Sequence, residues 1–402
     1  MNTKIILCLS FAASLMCSQA HAAIMTVASV DPLLAAPILY DSGGPIPAGG
    51  FATPTLNFVT NGGLSIGGLE VLGPGSVYTL SSDGGTGADS TVLQLNESAG
   101  PGTNLFVGLP AALSLNARGY DLTSNPASGL LGVAATGVAP GGGPGSGLPA
   151  IYELDPLGFA PPAVYAGLSA KPTTSGLTYG AGGMTAALST DGVAGAFTAP
   201  PLPAGIYPVP AGGPELPGIL SSVAPPGGVG VPGDDHVVTL DGRTIFLGDG
   251  SHEMFDVSGG AGAVALLIDL DAVPGLLPFL AIGGVRGAVS PVDGNIFTGW
   301  GLPAGMQSLI RVDQFGAGAS PAIIGLDNVR DVDFGPSTFA PGGPLASGFS
   351  LYITEVDFTT GPTPFSNIWE VGILVPEPSS VVLAVLGLLT LAAVAYRRKF
   401  AA

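Results

Sequence analysis

Six short segments of the chain share one order of apolar and polar positions, apolar–apolar–x–apolar followed by turn-forming residues. They are Val92–Asn96, Ile151–Asp155, Ile206–Pro210, Met254–Ser258, Leu309–Asp313 and Ile368–Gly372, spaced by 59, 55, 48, 55 and 59 residues. Within them, Ile310-Arg311-Val312-Asp313 and Phe255-Asp256-Val257 alternate as half-buried strands do. Three of the six are followed at one fixed offset by a Gly-Leu pair, at Gly108-Leu109, Gly167-Leu168 and Gly325-Leu326. Around each segment the chain reads as further short strands. In the fifth repeat these are "VRGAVSPVDG", "NIFTGW", "SLIRVDQ" and "PAIIGL"; in the fourth, "DHVVTLDG", "TIFLGDG", "HEMFDVSG" and "AVALLIDL". Asp-Gly pairs beginning at Asp83, Asp191, Asp241, Asp249 and Asp293 supply tight hairpin turns, because Gly reaches positive φ without strain.

Four antiparallel strands in about 50 residues make one blade of a β-propeller. The pattern therefore predicts an all-β chain, a six-bladed β-propeller of four-stranded blades over residues 64–374, with a β-sandwich as the alternative. The sixth repeat runs out after three strands, "VRDVDFGP", "FSLYITEV" and "SNIWEVG". Residues 23–63 precede the first repeat, and a strand from this segment, with Thr55–Gly62 as the candidate, is expected to complete the last blade. Such closure removes exposed sheet edges.

Composition sharpens this picture. Gly (65) and Pro (38) are abundant enough to raise disorder, yet 47% of residues are hydrophobic and only 9% charged, the reverse of a disordered chain. The net charge is −18. Lys4, Arg397, Arg398 and Lys399 sit at the two ends, which leaves the body more acidic still. Such a surface repels nucleic-acid phosphates, so no nucleic-acid partner is expected.

The two ends carry addresses. Lys4, the apolar run Ile5–Met16 and Ala20-His21-Ala22 read as a signal peptide over residues 1–22, cleaved after an A-x-A site formed by Ala20 and Ala22. The expected partners at this step are the Sec machinery and signal peptidase. Both cysteines, Cys8 and Cys17, lie in the leader, so the exported body holds no disulfide and no thiolate site. At the other end, Ser379–Tyr396 is uncharged and long enough, at about 1.5 Å per residue, to cross a bilayer as a helix. Arg397, Arg398 and Lys399 follow and favour the cytoplasmic side, which places the body outside the inner membrane. Prolines on both sides of Glu377 keep that stretch extended and accessible.

The run Val375-Pro376-Glu377-Pro378, one apolar helix and an Arg-rich end resembles the PEP-CTERM sorting signal over residues 375–402. The resemblance implies an exported protein of a diderm bacterium, anchored transiently in the inner membrane. An exosortase would recognise Pro376, Glu377, Pro378, Arg397 and Arg398 and pass the body to the cell surface or extracellular matrix, alongside exopolysaccharide. The repeats themselves resemble six-bladed propellers of the broad NHL and gluconolactonase-like type.

Catalytic chemistry has few carriers. The body holds only His236 and His252, and the sequence has no H-E-x-x-H, no Walker A loop and no G-x-S-x-G. The reading is a non-catalytic binding or structural module, not an enzyme, with no cofactor beyond a possible Ca²⁺. The alternative is a calcium-dependent lactonase-like hydrolase. Its ion would need six to eight oxygens, for which Asp121, Asp241 and Asp333 are the candidates. Trp300 and Trp369 fit sugar stacking or packing, with packing expected for Trp369 in a third strand.

Overall fold

The computed structural model describes residues 27–39, 65–73, 76–82, 91–95, 103–104, 118–136, 149–156, 163–167, 173–180, 183–189, 205–211, 235–247, 252–259, 264–280, 285–300, 307–326, 329–337, 348–357, 365–374 and 389. They form six small antiparallel sheets, numbered I to VI here. Sheet I comprises β3 (Ser65–Gly73), β4 (Ser76–Ser82), β5 (Thr91–Leu95) and β6 (Thr103–Asn104). Sheet II follows with β7 (Arg118–Ser124), β8 (Leu131–Thr136), β9 (Pro149–Leu154) and β10 (Ala163–Gly167). Sheet III has β11 (Thr173–Gly180), β12 (Gly183–Ser189) and β13 (Gly205–Pro208). Sheet IV has β14 (Asp235–Val238), β15 (Thr244–Leu247), β16 (Glu253–Asp256) and β17 (Ala265–Asp269). Two short 3-10 turns, Leu270–Ala272 and Leu277–Phe279, lead from it to sheet V.

Sheet V contains β18 (Val285–Val289), β19 (Ile296–Trp300), β20 (Gln307–Val312) and β21 (Ala319–Leu326); β1 (Ala28–Ser29) joins its outer edge. Sheet VI contains β22 (Val329–Pro336), β23 (Phe349–Asp357) and β24 (Phe365–Gly372), and β2 (Ile38–Leu39) is its fourth strand. Each of the six repeated segments falls on the third strand of its sheet, at β5, β9, β13, β16, β20 and β24.

The first strands of the sheets, β3, β7, β11, β14, β18 and β22, touch in succession, and β22 returns to β3. The arrangement is a closed, propeller-like ring. Apolar cores lie between successive sheets. Leu69, Val71 and Val77 of sheet I meet Tyr352 and Ile368 of sheet VI. Ala134 and Ile151 of sheet II meet Leu177, Met184 and Ala186 of sheet III. Sheets V and VI share Leu309, Ile323, Val329, Leu351 and Ile353. No one pair of facing sheets holds the core, so the sandwich alternative is set aside. A sheet this small has two apolar faces and must bury both against neighbours.

The amino-terminal segment ties two sheets together. Ala28 pairs with Ile324, while Ile38 and Leu39 pair with Glu370 and Trp369. Between these pairings, the buried Asp31 accepts from Arg311 at 2.9 Å, and the Leu374 N–H donates to the Leu33 carbonyl at 2.8 Å. Thr55–Gly62, the strand expected to close the ring, lies outside the described residues.

Gly68 shows how close the first strands approach. It sits at φ +81°, at a bulge in β3, and a Cβ there would stand 2.8 Å from both the Cβ and the backbone N of Leu122 on β7. An Ala at this position adds left-handed strain to overpacking against backbone. Gly68→Ala is expected to cost about 3 kcal/mol, read as a shift of the denaturant midpoint.

Among the described residues no helix is long and apolar enough to cross a membrane. Apart from Leu389, the run Ser379–Tyr396 lies outside them, as does the whole leader.

Candidate functional site: an acidic ring at the axis

Inner strands that converge on one axis bring their side chains together there. A cavity of about 230 Å³ is lined by residues of β3, β7, β11, β14, β18 and β22, among them Glu70, Asp121, Asp235, His236, Asp331 and Asp333. Asp121, Asp235 and Asp331 are buried, while Glu70 and Asp333 keep partial exposure.

Each aspartate is held by backbone N–H groups. Asp331 accepts from Leu69 of the next sheet at 2.5 Å on Oδ2 and from its own neighbour Val332 at 2.8 Å on Oδ1. Asp333 repeats this with Val71 at 2.9 Å and Phe334 at 2.7 Å. Asp235 accepts from His236 at 2.7 Å and, across the joint, from Gly287 at 3.3 Å. Asp121 accepts from Leu177 at 2.5 Å. These bonds join sheets II to III, IV to V and VI to I, every second joint of the ring. At Gly176, in sheet III, any side chain would overlap the Asp235 carboxylate, so glycine is required there.

Burial dominates the electrostatics. It pushes the Asp121 carboxyl up to about 6, with the Arg286 charge and the Leu177 and Leu122 N–H groups pulling the other way. Asp235 rises to about 7 through burial and then repulsion from Asp121, again opposed by Arg286. Asp333 also rises to about 7 through burial. Glu70 is raised by burial and by the Asp333 charge, and Asp331 by burial and the Asp121 charge. Several carboxylates crowded in low dielectric favour keeping protons, since each added charge raises the cost of the next.

Of the three calcium candidates, the structure brings Asp121 and Asp333 to this cavity and leaves Asp241 out. Asp241 is exposed in the turn between β14 and β15, where it accepts from Thr239 and pairs with Arg243 at 2.8 Å. Its grouping with the other two is corrected: the Asp-Gly pair there builds a hairpin turn, with Gly242 at φ +84°. Among the described residues no three His, Cys, Asp or Glu side chains are arranged to hold a metal ion. Glu70, Asp235 and Asp331 were not singled out from the sequence. An acidic residue in a first strand was the available signal, and "VRDVDFGP" and "DHVV" both display it.

The histidines stand apart from one another. His236 is buried, its Nε2 2.8 Å from Thr185 Oγ1, and burial lowers it to about 4. His252 lies 2.9 Å from Asp271. Trp369 packs on the core between sheets V and VI and donates to Glu355 at 2.6 Å. Ala20, Ala22, Pro376, Glu377, Pro378, Arg397 and Arg398 fall outside the described residues.

No protein-family model matches the chain, and no curated protein does. Among solved structures, it is similar to a PQQ-bound aldose sugar dehydrogenase from Streptomyces coelicolor, at 14% identity and TM-score 0.44, over 77% of this chain and 94% of that one. Virginiamycin B lyase from Staphylococcus aureus is similar at 11% identity and TM-score 0.41, over 78% and 96%. The Cps50 (Swd1) β-propeller domain of Myceliophteria thermophila is similar at 12% identity and TM-score 0.39, over 76% and 82%. Likeness at this level carries neither substrate nor activity to this chain.

Proposed function

We propose that the body is a six-bladed β-propeller, exported and sorted by its PEP-CTERM-like tail. It would serve at the cell surface or in the extracellular matrix as a non-catalytic binding or structural module beside exopolysaccharide. One observation carries the non-catalytic part: the aspartates at the axis spend their oxygens on backbone N–H groups of their own and the neighbouring sheet. Carboxylates used this way hold sheets together, which is a structural role. The calcium-dependent hydrolase stands as the second reading, because Asp121 and Asp333 do meet at one cavity. Its third carboxylate, Asp241, is elsewhere.

The sorting part rests on Val375–Pro378 with the apolar run and basic end that follow. In an exosortase-bearing diderm host, the native chain is expected in the matrix fraction with exopolysaccharide, lacking the mass of its tail. Glu377→Ala is expected to stay in the inner-membrane fraction at full tail length. Unchanged delivery and trimming of the variant would refute the assignment.

A further inference from the structure

Exposed apolar side chains gather at one end of the ring. In each of sheets IV, V and VI the first strand runs toward this end. The turns Thr239–Arg243 and Ser290–Asn295 close its hairpins there, and the turn after β20, Asp313–Gly318, lies beside them. Hydrogen bonds confirm that these turns are neighbours: Arg243 donates to the Gln314 carbonyl at 2.8 Å, and Gln314 donates to the Asp293 carbonyl at 3.3 Å. Phe315 is 66% exposed, Leu240 61%, Val30 48%, Val292 40% and Phe349 36%. They make up five of the eight large exposed apolar residues among those described. Tight turns ordinarily carry polar residues, which hydrogen-bond to the turn backbone or to water. Leu240, Val292 and Phe315 are placed against that rule.

The chain also leaves the ring here. Leu374 bonds to Leu33, three residues from Val30, and the Ile373 N–H donates to the Phe349 carbonyl. Only Val375–Pro378 separate Leu374 from the uncharged run that starts at Ser379. At about 3.3–3.6 Å per residue, those four residues reach at most about 14 Å.

We propose that this end of the ring lies on the lipid bilayer while the tail is in place, with Val30, Leu240, Val292, Phe315 and Phe349 touching the headgroup region. The inference rests on the tail being a membrane anchor. It deepens that reading by naming the surface of the body that meets the membrane. The cations at this end are already engaged, Arg243 by Asp241 and Asp256 and Arg311 by Asp31 and Asp293. The carboxylates Asp241, Asp293 and Asp313 share these turns, so the described residues present apolar tips on an acidic rim, which suits a zwitterionic bilayer and disfavours anionic lipid. A few apolar tips bind a bilayer weakly by themselves, so removal of the tail releases the body.

The two cysteines, Cys8 and Cys17, permit a direct test once both are changed to Ser in the full chain. Single cysteines are then introduced as Val292→Cys, Phe315→Cys and, at the opposite end, the 60% exposed Leu277→Cys. Each is labelled with an environment-sensitive fluorophore in phosphatidylcholine vesicles containing a lipid-borne quencher. The expected result is loss of fluorescence at positions 292 and 315 but not at 277. A chain truncated after Leu374 should lose the quenching together with vesicle flotation. Equal quenching at all three positions in a chain that floats overturns the proposed orientation and leaves the anchor intact. A full chain that does not float overturns the anchor itself. Shielding of 292 and 315 that persists without lipid assigns the face to a second copy of the chain, and overturns the proposal.

Discussion

Asp331→Ala is expected to lower the free energy of unfolding by about 4 kcal/mol, the largest effect of any single truncation at the axis. Asp331 accepts from Leu69, a residue 262 positions earlier, across the joint where the last sheet meets the first. Its other oxygen takes the Val332 N–H. Truncation leaves two buried donors without their acceptor, at about 1–3 kcal/mol each. This joint closes the ring, so its loss frees the edges of both sheets rather than loosening one contact. Asp333 makes the parallel bond to Val71, which is why the expected outcome is a weakened ring and not an unfolded one. Asp331→Asn should fall between wild type and Ala, because its amide keeps one acceptor and turns a donor toward the other N–H. Denaturant unfolding monitored by circular dichroism gives the order. Equal midpoints for wild type and Ala would show that the carboxylate does not hold the joint.

Stability is also expected to fall as pH rises from about 6 to about 8, by several kcal/mol in total. An aspartate in the unfolded chain releases its proton near 3.8, whereas in the ring Asp121 holds it to about 6 and Asp235 and Asp333 to about 7. Between those limits the folded state binds more protons than the unfolded one. The contribution is therefore complete below the unfolded value and is lost as pH rises through the folded values. Glu70 and Asp331 shift in the same direction. His236 works the other way: lowered from 6.5 to about 4, it contributes above 6.5 and that contribution is lost as pH falls through 4. From about pH 6.5 upward the raised acids outweigh His236, whose unfolded form is still releasing its proton there, which makes this the window to measure. Melting temperatures across it should decline for the wild type and decline less steeply for Asp235→Asn, which keeps the raised Asp333 carboxyl. A flat or rising wild-type profile would mean that the axis carboxylates are already ionised at pH 6.

The third strands were the most legible part of the fold. Ile151, Ile206, Met254, Leu309 and Ile368 are all buried, at 1% exposure or less. A strand flanked within its sheet and covered on both faces must keep apolar residues at fixed places, whatever the loops do, and so leaves a recurring trace. The amino-terminal strands left none. β1 and β2 are two residues each, too short for any periodicity, and they pair with different sheets. The site was half legible. Asp121 and Asp333 could be suspected from their place in first strands, but Asp241 has the same residue type beside the same kind of strand and ends in a turn. The difference lies in whether the residue precedes or follows the point at which the strand leaves the axis. Neighbouring residues do not record that point.

What the sequence alone determined is the unit and its repetition: short apolar strands, Asp-Gly turns and a spacing near 55 residues dictate small sheets that cannot bury both faces unaided. The charged and apolar blocks at the ends are visible in local composition in the same way, and export and sorting are proposed from them. Only the tertiary structure decided which strands meet across 262 residues, which carboxylates share one cavity, and which turns share an end with the departing tail. Those facts depend on how six sheets rotate about a common axis. Local propensities act over a few residues and contain no term for that rotation.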